Sequence, residues 1–291
     1  MTSAVLTALA PAKVNLCLHV GPVRADGYHP LASLVAFADV GDRVTVERAD
    51  RLSLAVTGPF GAGLDGEGDN LILRALRALG EATGTGEPPL KVTLDKRLPI
   101  AAGLGGGSSD AGAALRLART ALDLDIDDAA LETVAAVIGA DGPMCLRAHT
   151  AWAEGIGDRL SDAAWMPPLH AVLVNPGVAC STGAVYRAYD ISPIGAADRP
   201  ADPADTTPIG VIRWLAAQRN DLEAPALGVA PAITDALADL AVCSGVGLVR
   251  MSGSGATVFA LFEAAQDADV ATRAMQSRHA GWWVTRTVLG D

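Results

Sequence analysis

The sequence predicts an α+β fold, and three observations carry that reading. Strand-like alternations and helical periodicities are mixed along the chain without the regular strand–helix–strand repeat of a doubly wound sheet. An alternating segment, residues 90–98, runs into a turn with glycine at 103, 105, 106 and 107, and a helical pattern follows at once through Ala111, Ala114, Leu115, Ala118 and Leu122. Half of the 291 residues are hydrophobic and the mean hydropathy is +0.30, enough for a sizeable core in one large or two ordinary domains.

Residues 1–10 are mildly apolar and end Ala8-Leu9-Ala10, which looks like a signal-peptide cleavage site; without a basic start or a long apolar run they read as an ordinary first strand of a cytoplasmic protein. Val14, Leu16, Leu18 and Val20 alternate with Asn15, Cys17 and His19, a strand pattern. Residues 24–30, with Asp26-Gly27, form a loop; 42–47 and 52–57 are further strands; 70–79 is a helix for which Asp69 offers an N-cap. Residues 131–138 form a helix ending at Gly139, and 171–174 a buried strand. The stretch 190–208 is rich in Pro, Ala and Asp and predicts an exposed loop. Helices follow at 209–217 and 230–240. Strands at 247–251 and 256–262 flank a second glycine turn, Met251-Ser252-Gly253-Ser254-Gly255, before a helix at 267–279 and a last strand at 282–288.

The first glycine turn carries the chemistry. Glycine admits φ > 0 and close approach of a ligand to backbone N–H groups. A helix N-terminus beyond it adds unpaired donors and a partial positive charge, which together suit phosphate. The competing reading is a plain surface turn with a serine N-cap. The phosphate-loop motif is excluded because no lysine follows Gly107, and the dinucleotide fingerprint because Ser108 stands where its third glycine belongs.

A net charge of −11 argues against nucleic acid as a partner. Only Lys13, Lys91 and Lys96 are lysines, against nineteen arginines, so a lysine beside a motif invites a reason; Lys91 reads as a surface charge. Cys17, Cys145, Cys180 and Cys243 are scattered without zinc-ligand spacing and read as reduced, buried thiols. No apolar run reaches the ~18 residues of a membrane span.

Three motifs stand in order: Pro11-Ala12-Lys13-Val14-Asn15-Leu16, the turn 99–109, and Met251-Ser252-Gly253-Ser254-Gly255-Ala256. With Arg24-Ala25-Asp26-Gly27-Tyr28-His29, Asp69-Asn70-Leu71, Gly139-Ala140-Asp141 and Ala153-Glu154-Gly155-Ile156-Gly157, this set resembles the GHMP kinase superfamily of small-molecule kinases, over about residues 10 to 262. The resemblance implies a two-domain α+β fold, an N-terminal ATP-binding domain over 1–160 and a C-terminal domain over 161–291, with the active site in the interdomain cleft. It implies ATP and Mg²⁺ as cofactors. Within the superfamily the likeness is to the branch that phosphorylates the 2-hydroxyl of 4-diphosphocytidyl-2-C-methyl-D-erythritol, in the non-mevalonate route to isoprenoid precursors, as a cytoplasmic monomer or homodimer.

By the same resemblance Asp141 orients the attacking hydroxyl or accepts its proton, and Lys13 steadies Asp141 and the transferred charge. Lys13 and Asn15 alternate in phase, so both leave one face of their strand. The cytidine end is placed against Tyr28, His29, Ile156 and Tyr186, with Asn15 also on the substrate. The nucleotide is placed on Asn70, Lys96, Thr182 and the turn formed by Pro99, Ile100, Ala101, Ala102, Gly103, Leu104, Gly105, Gly106, Gly107, Ser108 and Ser109. Ser108 is the hydroxyl nearest Mg²⁺, whose ligands the sequence does not otherwise reveal.

The chain departs from the pattern at Gly142, which predicts a looser turn beside Asp141, and at Asp110, which adds negative charge near the phosphates or caps the helix. The alternatives are another GHMP kinase, of homoserine or mevalonate type, and a non-catalytic binding protein of the same fold. Gly27-Tyr28-His29 with Tyr186 weighs against the first, and the presence of Lys13, Asp141 and the glycine turn against the second.

Overall fold

The structure, a computed structural model, describes residues 5–64 and 70–290. In chain order these form β1 (Leu6–Val20), β2 (Leu31–Arg48), β3 (Ser53–Thr57), a 3₁₀ turn (Gly61–Leu64), α1 (Leu71–Thr83), β4 (Leu90–Asp95), α2 (Gly106–Leu122), α3 (Asp128–Ala136), α4 (Asp141–Arg147), β5 (Ala151–Gly155) and β6 (Arg159–Asp162). There follow β7 (Leu169–Asn175), α5 (Thr182–Tyr189), α6 (Pro208–Ala216), α7 (Glu223–Val229), α8 (Ala232–Ala241), β8 (Val246–Met251), β9 (Val258–Phe262), α9 (Ala265–Arg278) and β10 (Trp283–Leu289). The mixture of strands and helices is the α+β class that the sequence predicts.

The chain packs into two compact units that interleave along the sequence. One comprises Val40–Ile100 and Gly105–Ala148 with the start of β1. Here the second half of β2 runs antiparallel to β4, from Arg43 opposite Asp95 to Arg48 opposite Leu90, and β3 runs parallel to β4. β4 alternates as a half-buried strand should: Leu90, Val92 and Leu94 point into the core while Lys91 is exposed. Those side chains pack with Val44 and Val46 against Ile72, Leu76 and Leu79 of α1, Leu115 and Ala118 of α2, and Leu131 of α3. Asn70 caps α1, its side-chain oxygen accepting from Ile72 N at 2.9 Å. The cap expected at Asp69 lies outside the described residues. Asp127 likewise caps α3, accepting from Ala130 N at 2.8 Å, so this helix begins three residues before its apolar pattern does.

The other unit comprises Lys13–Asp39, Ala101–Leu104 and His149–Asp291. Its strands β10, β7, β9 and β8 are neighbours in that order, all antiparallel, with Val174 opposite both Val284 and Val258. The first half of β2 pairs with β5, which turns back into β6. The core gathers Val172, Val174, Val258, Ala260 and Phe262 from strands with Val185, Tyr189, Ile233, Leu240 and Met275 from helices. Arg250 is buried here, and burial holds its guanidinium below its ordinary pKa. It donates to the carbonyls of Leu16, Leu215 and Gln218, the last two at the C-terminal end of α6, where a cation is favoured.

β2 is longer than the sequence pattern indicates because Ala32, Leu34, Val35, Ala36, Phe37 and Ala38 are all buried, which erases alternation. β5, β6, α4, α5 and α7 are too short to show a period, and none is marked in the sequence. Residues 96–98 leave β4 to meet Asp42. Among the described residues no helix is long and apolar enough to cross a membrane.

Candidate active site

The turn 99–109 has the conformation its glycines suggest. Gly103 and Gly105 have φ of 74° and 61°, and Ala101 is also left-handed at 52°. Three successive carbonyls anchor it: Ala102 O accepts from Thr257 N at 3.1 Å, Gly103 O from Ser252 Oγ at 3.0 Å and Leu104 O from Lys13 N at 2.8 Å. Ala102 and Leu104 are buried, Pro99 is half-buried, and Ile100 is exposed. Helix α2 then starts at Gly106, earlier than its apolar pattern, with Gly105 as an N-cap that offers no side-chain hydrogen bond. Ser108 and Ser109 are therefore inside the first turn and not caps. The first helical hydrogen bond runs from Ser109 N to Gly105 O at 2.9 Å, so the N–H groups of Gly106, Gly107 and Ser108 precede the helical ladder, which is the arrangement an anion uses.

Lys96, which the resemblance places at the nucleotide, has its ammonium between two buried carboxyl groups. Nζ lies 2.5 Å from Asp42 Oδ2 and 2.8 Å from Asp110 Oδ2, with the lysine side chain 4% exposed. Asp42 Oδ1 accepts from Arg97 N at 2.5 Å and Leu98 N at 2.8 Å, so Asp42 fixes the strand exit that leads to Pro99. A buried amine without a counterion would be discharged, and the inward turn gives Lys96 a counterion in Asp42 and a second hydrogen-bond acceptor in Asp110. Burial pushes its pKa down, but the Asp110 and Asp42 carboxylates outweigh burial and leave it above the usual lysine value. Burial and the neighbouring Asp42 lift Asp110 to about 8, against the pull of Lys96. Asp110 thus neither caps α2 nor faces outward toward phosphates. A Cβ at Gly106 would lie 3.0 Å from Lys96 Nζ, which places the ammonium directly under the first residue of the helix.

Asp141 is half-buried and is the first residue of α4, not the last turn of the preceding helix. Gly142 does not loosen this turn. A Cβ there would sit 2.0 Å from Ala135 O and 3.0 Å from Ile138 Cγ1, so glycine is what allows α4 to start against the end of α3.

In the other unit Lys13 and Asn15 are both buried on β1, 8% and 6% exposed. Asn15 N donates to Ser252 Oγ at 3.1 Å and its Nδ2 to Ser33 Oγ at 2.8 Å. The second glycine turn is held from behind by Asn220, whose Nδ2 donates to Met251 O and Gly253 O, both at 2.8 Å. Thr182, the exposed first residue of α5, lies 2.9 Å from Ser254 Oγ of that turn.

The structure brings His29 and Tyr186 together, their ring centroids 4.8 Å apart, with Tyr189 edge-on to the histidine at 5.8 Å. His29 Nδ1 lies 3.0 Å from Gly21 O and Nε2 3.3 Å from Asp190 Oδ1, so oxygens face both ring nitrogens. Tyr189 donates its hydroxyl to Val20 O, leaving its ring as a fixed wall. Tyr28 is 58% exposed on the loop before β2. Ile156 is half-buried, its N donating to Asp158 Oδ1 at 3.0 Å.

The sequence does not single out Asp42, Asp190 or Ser33, and it marks Ser252 only as part of the second glycine turn. Ser33 had a signal, being the one polar residue in the apolar run 31–38. Asp190 had none, since it begins a loop that reads as solvent-exposed. All four cysteines are free thiols, and burial pushes the Cys17 thiol up to about 11, away from reactivity.

Comparison with known proteins places these features in company. The pattern described as the GHMP kinases N terminal domain matches residues 70–148, and that of the GHMP kinases C terminal domain residues 211–281. The 4-diphosphocytidyl-2-C-methyl-D-erythritol kinase of Caulobacter vibrioides (strain NA1000 / CB15N) is 51% identical over 98% of this chain and 99% of its own length. The protein of that name from Parvibaculum lavamentivorans is 46% identical over 98% of both. A crystal structure of 4-(cytidine 5'-diphospho)-2C-methyl-D-erythritol kinase superposes with a TM-score of 0.81 at 34% identity, covering 98% of this chain and 100% of that one. Homoserine kinase from Cytophaga hutchinsonii, with a TM-score of 0.70 at 17% identity over 100% and 96% of the two chains, shares the fold.

Proposed function

Because the chain belongs to the GHMP kinases and, among them, to the 4-diphosphocytidyl-2-C-methyl-D-erythritol kinase family, we propose that it transfers the γ-phosphoryl of ATP to the 2-hydroxyl of 4-diphosphocytidyl-2-C-methyl-D-erythritol, giving the 2-phosphate and ADP. The observation that carries the choice of substrate is the His29–Tyr186 ring pair at 4.8 Å beside the exposed Tyr28. It supplies the flat apolar surface a cytosine ring stacks on, and a homoserine or mevalonate kinase has no base to place there.

Such a transfer asks the protein for placement and charge stabilisation more than for covalent chemistry. The uncapped first turn of α2, with the hydroxyls of Ser108 and Ser109, receives the phosphates. Asn70 and Thr182 are nucleotide contacts in this reading. Asp141 orients the acceptor hydroxyl and takes its proton as the oxygen–phosphorus bond forms and the bond to the ADP oxygen breaks. Lys13 meets the charge on the transferred group. Lys96 acts from beneath, holding the residues before the turn and the helix after it, without touching the nucleotide.

Magnesium belongs to this reading as an ion carried in with ATP. Among the described residues no three acidic, histidine or cysteine side chains gather into a metal site, whereas Ser109 Oγ is a buried oxygen without a hydrogen-bond partner one residue from Ser108. That donor set fits a hard cation that keeps phosphate oxygens and waters as most of its ligands, with Ser108 the residue to hold it. When bound it neutralises phosphate charge. The reading includes a cytoplasmic location, supported by the four free thiols.

The test is ADP release from ATP and Mg²⁺ with and without 4-diphosphocytidyl-2-C-methyl-D-erythritol, with the product identified by mass. Substrate-dependent release and a gain of one phosphoryl group are expected. ATP binding with no such release, or equal release with homoserine or mevalonate, overturns the assignment.

A further inference from the structure

Asn15 carries a polar atom that the fold leaves unused. The residue is 6% exposed, and Oδ1 is a buried acceptor without a hydrogen-bond partner. Which end of the amide is the oxygen is decided by a neighbour. Ser33 Oγ, on a residue 1% exposed, donates its single proton to Cys17 O at 2.6 Å. Toward Asn15, 2.8 Å away, that oxygen can only accept, so the atom facing it must be the NH₂ group. The carbonyl end is thereby turned to the opposite side. It faces Gly253 of the second glycine turn, where a Cβ would come within 3.1 Å of Oδ1. The backbone of Asn15 is fixed by the same logic, since Ser252 Oγ accepts from Asn15 N while donating to Gly103 O at 3.0 Å.

We propose that Ser33 is a positioning residue that sets the polarity of the Asn15 amide, so that Oδ1 stands ready to accept a hydrogen bond from a hydroxyl of the polyol part of the substrate. The proposal rests on the function proposed above for the identity of the substrate, and on the geometry alone for the direction of the amide. A buried acceptor left unpaired is costly, and folded chains keep one where a ligand completes it. An acceptor also selects: a hydroxyl satisfies Oδ1, whereas a carbonyl, an ether or an anionic oxygen at that position would meet it lone pair to lone pair. With the amide reversed, the preference would reverse too, and Ser33 is what prevents the reversal.

The experiment compares wild type, Ser33→Ala and Ser33→Thr in the full chain. Ser33→Ala removes the acceptor that holds Nδ2, and kcat/KM for 4-diphosphocytidyl-2-C-methyl-D-erythritol should fall roughly tenfold or more, mainly through KM, with KM for ATP unchanged. Ser33→Thr keeps the hydroxyl and should recover most of the loss. Should Ser33→Ala not fold, Ser33→Cys offers only a weak sulfur acceptor and carries the same expectation. The side-chain amide resonances of Asn15 give a readout independent of turnover: one amide proton should be protected from exchange in wild type and Ser33→Thr, and unprotected in Ser33→Ala. Protection with no turnover by the wild type would reject the substrate and keep the assigned amide direction. An unprotected wild-type amide, or wild-type substrate KM in both Ser33→Ala and Ser33→Cys, overturns the proposal.

Discussion

Lys96 Nζ lies 2.8 Å from Asp110 Oδ2, a buried contact that spans the glycine turn, with one partner before it and the other after it. The pair clasps the two ends of a segment rich in left-handed backbone. Asp42 joins the same ammonium and ties down Arg97 N and Leu98 N. A glycine-rich loop has much conformational entropy to lose, and holding both ends reduces what remains to be ordered when a ligand arrives.

Removal of the lysine should therefore be worse than removal of either acid. Lys96→Met leaves Asp42 and Asp110 facing each other without a cation and should cost about 3–5 kcal/mol in stability. Asp110→Asn keeps a hydrogen-bond acceptor for Lys96, leaves Asp42 as its counterion, and should cost much less. Urea unfolding of the two variants decides it, and a Lys96→Met protein as stable as wild type would show that the buried charges do not depend on each other.

The same cluster predicts a pH dependence with a definite sign. Asp110 is lifted from 3.8 to about 8 in the folded state, by burial first and by Asp42 second. Between those values the folded chain keeps a proton that the unfolded chain has lost, so this group's contribution to stability falls as pH rises through the window. Lys96 stays charged throughout, since its own pKa is raised and its contribution is lost only at still higher pH. Asp110→Asn should accordingly flatten the stability profile between about pH 5 and about pH 8. Denaturant midpoints across that range measure it; an unchanged slope would mean that Asp110 is ionised in the fold.

Gly142→Ala tests the packing beside Asp141. The added methyl would overlap the backbone oxygen of Ala135 at 2.0 Å, with no flexible side chain to yield. The start of α4 must move away from α3, at about 1–3 kcal/mol of stability. Because Asp141 is the adjacent residue, turnover should fall by more than the loss of folded protein explains. A variant with wild-type melting temperature and turnover would return Gly142 to the status of a neutral difference.

Asp141→Asn keeps shape and removes the acceptor for the proton. Turnover should fall by roughly a hundredfold to ten-thousandfold, the range for loss of a positioned acid or base, while ATP binding by calorimetry stays near wild type. Normal turnover would remove Asp141 from the mechanism.

How much of this was legible in the sequence depended on range. The turn 99–109, the strand before it and the helix after it follow from local chemistry, because glycine spacing and periodicity are local signals. The inward turn of Lys96 was not legible, because it is set by Asp42, 54 residues earlier in the chain. Asp110 read as an extra charge near phosphates for the same reason: its partner lies across the turn. Gly142 looked like a loss of order because the backbone it lets in, at Ala135, belongs to another helix. His29 and Tyr186 could be named from the resemblance, but their contact joins the loop before β2 to α5, a helix too short for any period to reveal.

That contact supports the last prediction. Tyr186 is half-buried, its ring tilted at 38° to His29, and Val185 and Tyr189 on the same helix are locked in the core, so the ring is held in place before any base arrives. Stacking on a held ring pays little side-chain entropy, and an aromatic–base stack is worth about 1–3 kcal/mol. Tyr186→Phe keeps the ring and should leave KM for the cytidine substrate within about twofold, whereas Tyr186→Ala should raise it roughly fivefold to a hundredfold, with kcat and KM for ATP little changed. Steady-state kinetics with each substrate varied in turn distinguishes the outcomes. Equal KM in the phenylalanine and alanine variants would mean that the base does not stack at this residue, and Tyr28 would then be the ring to replace next.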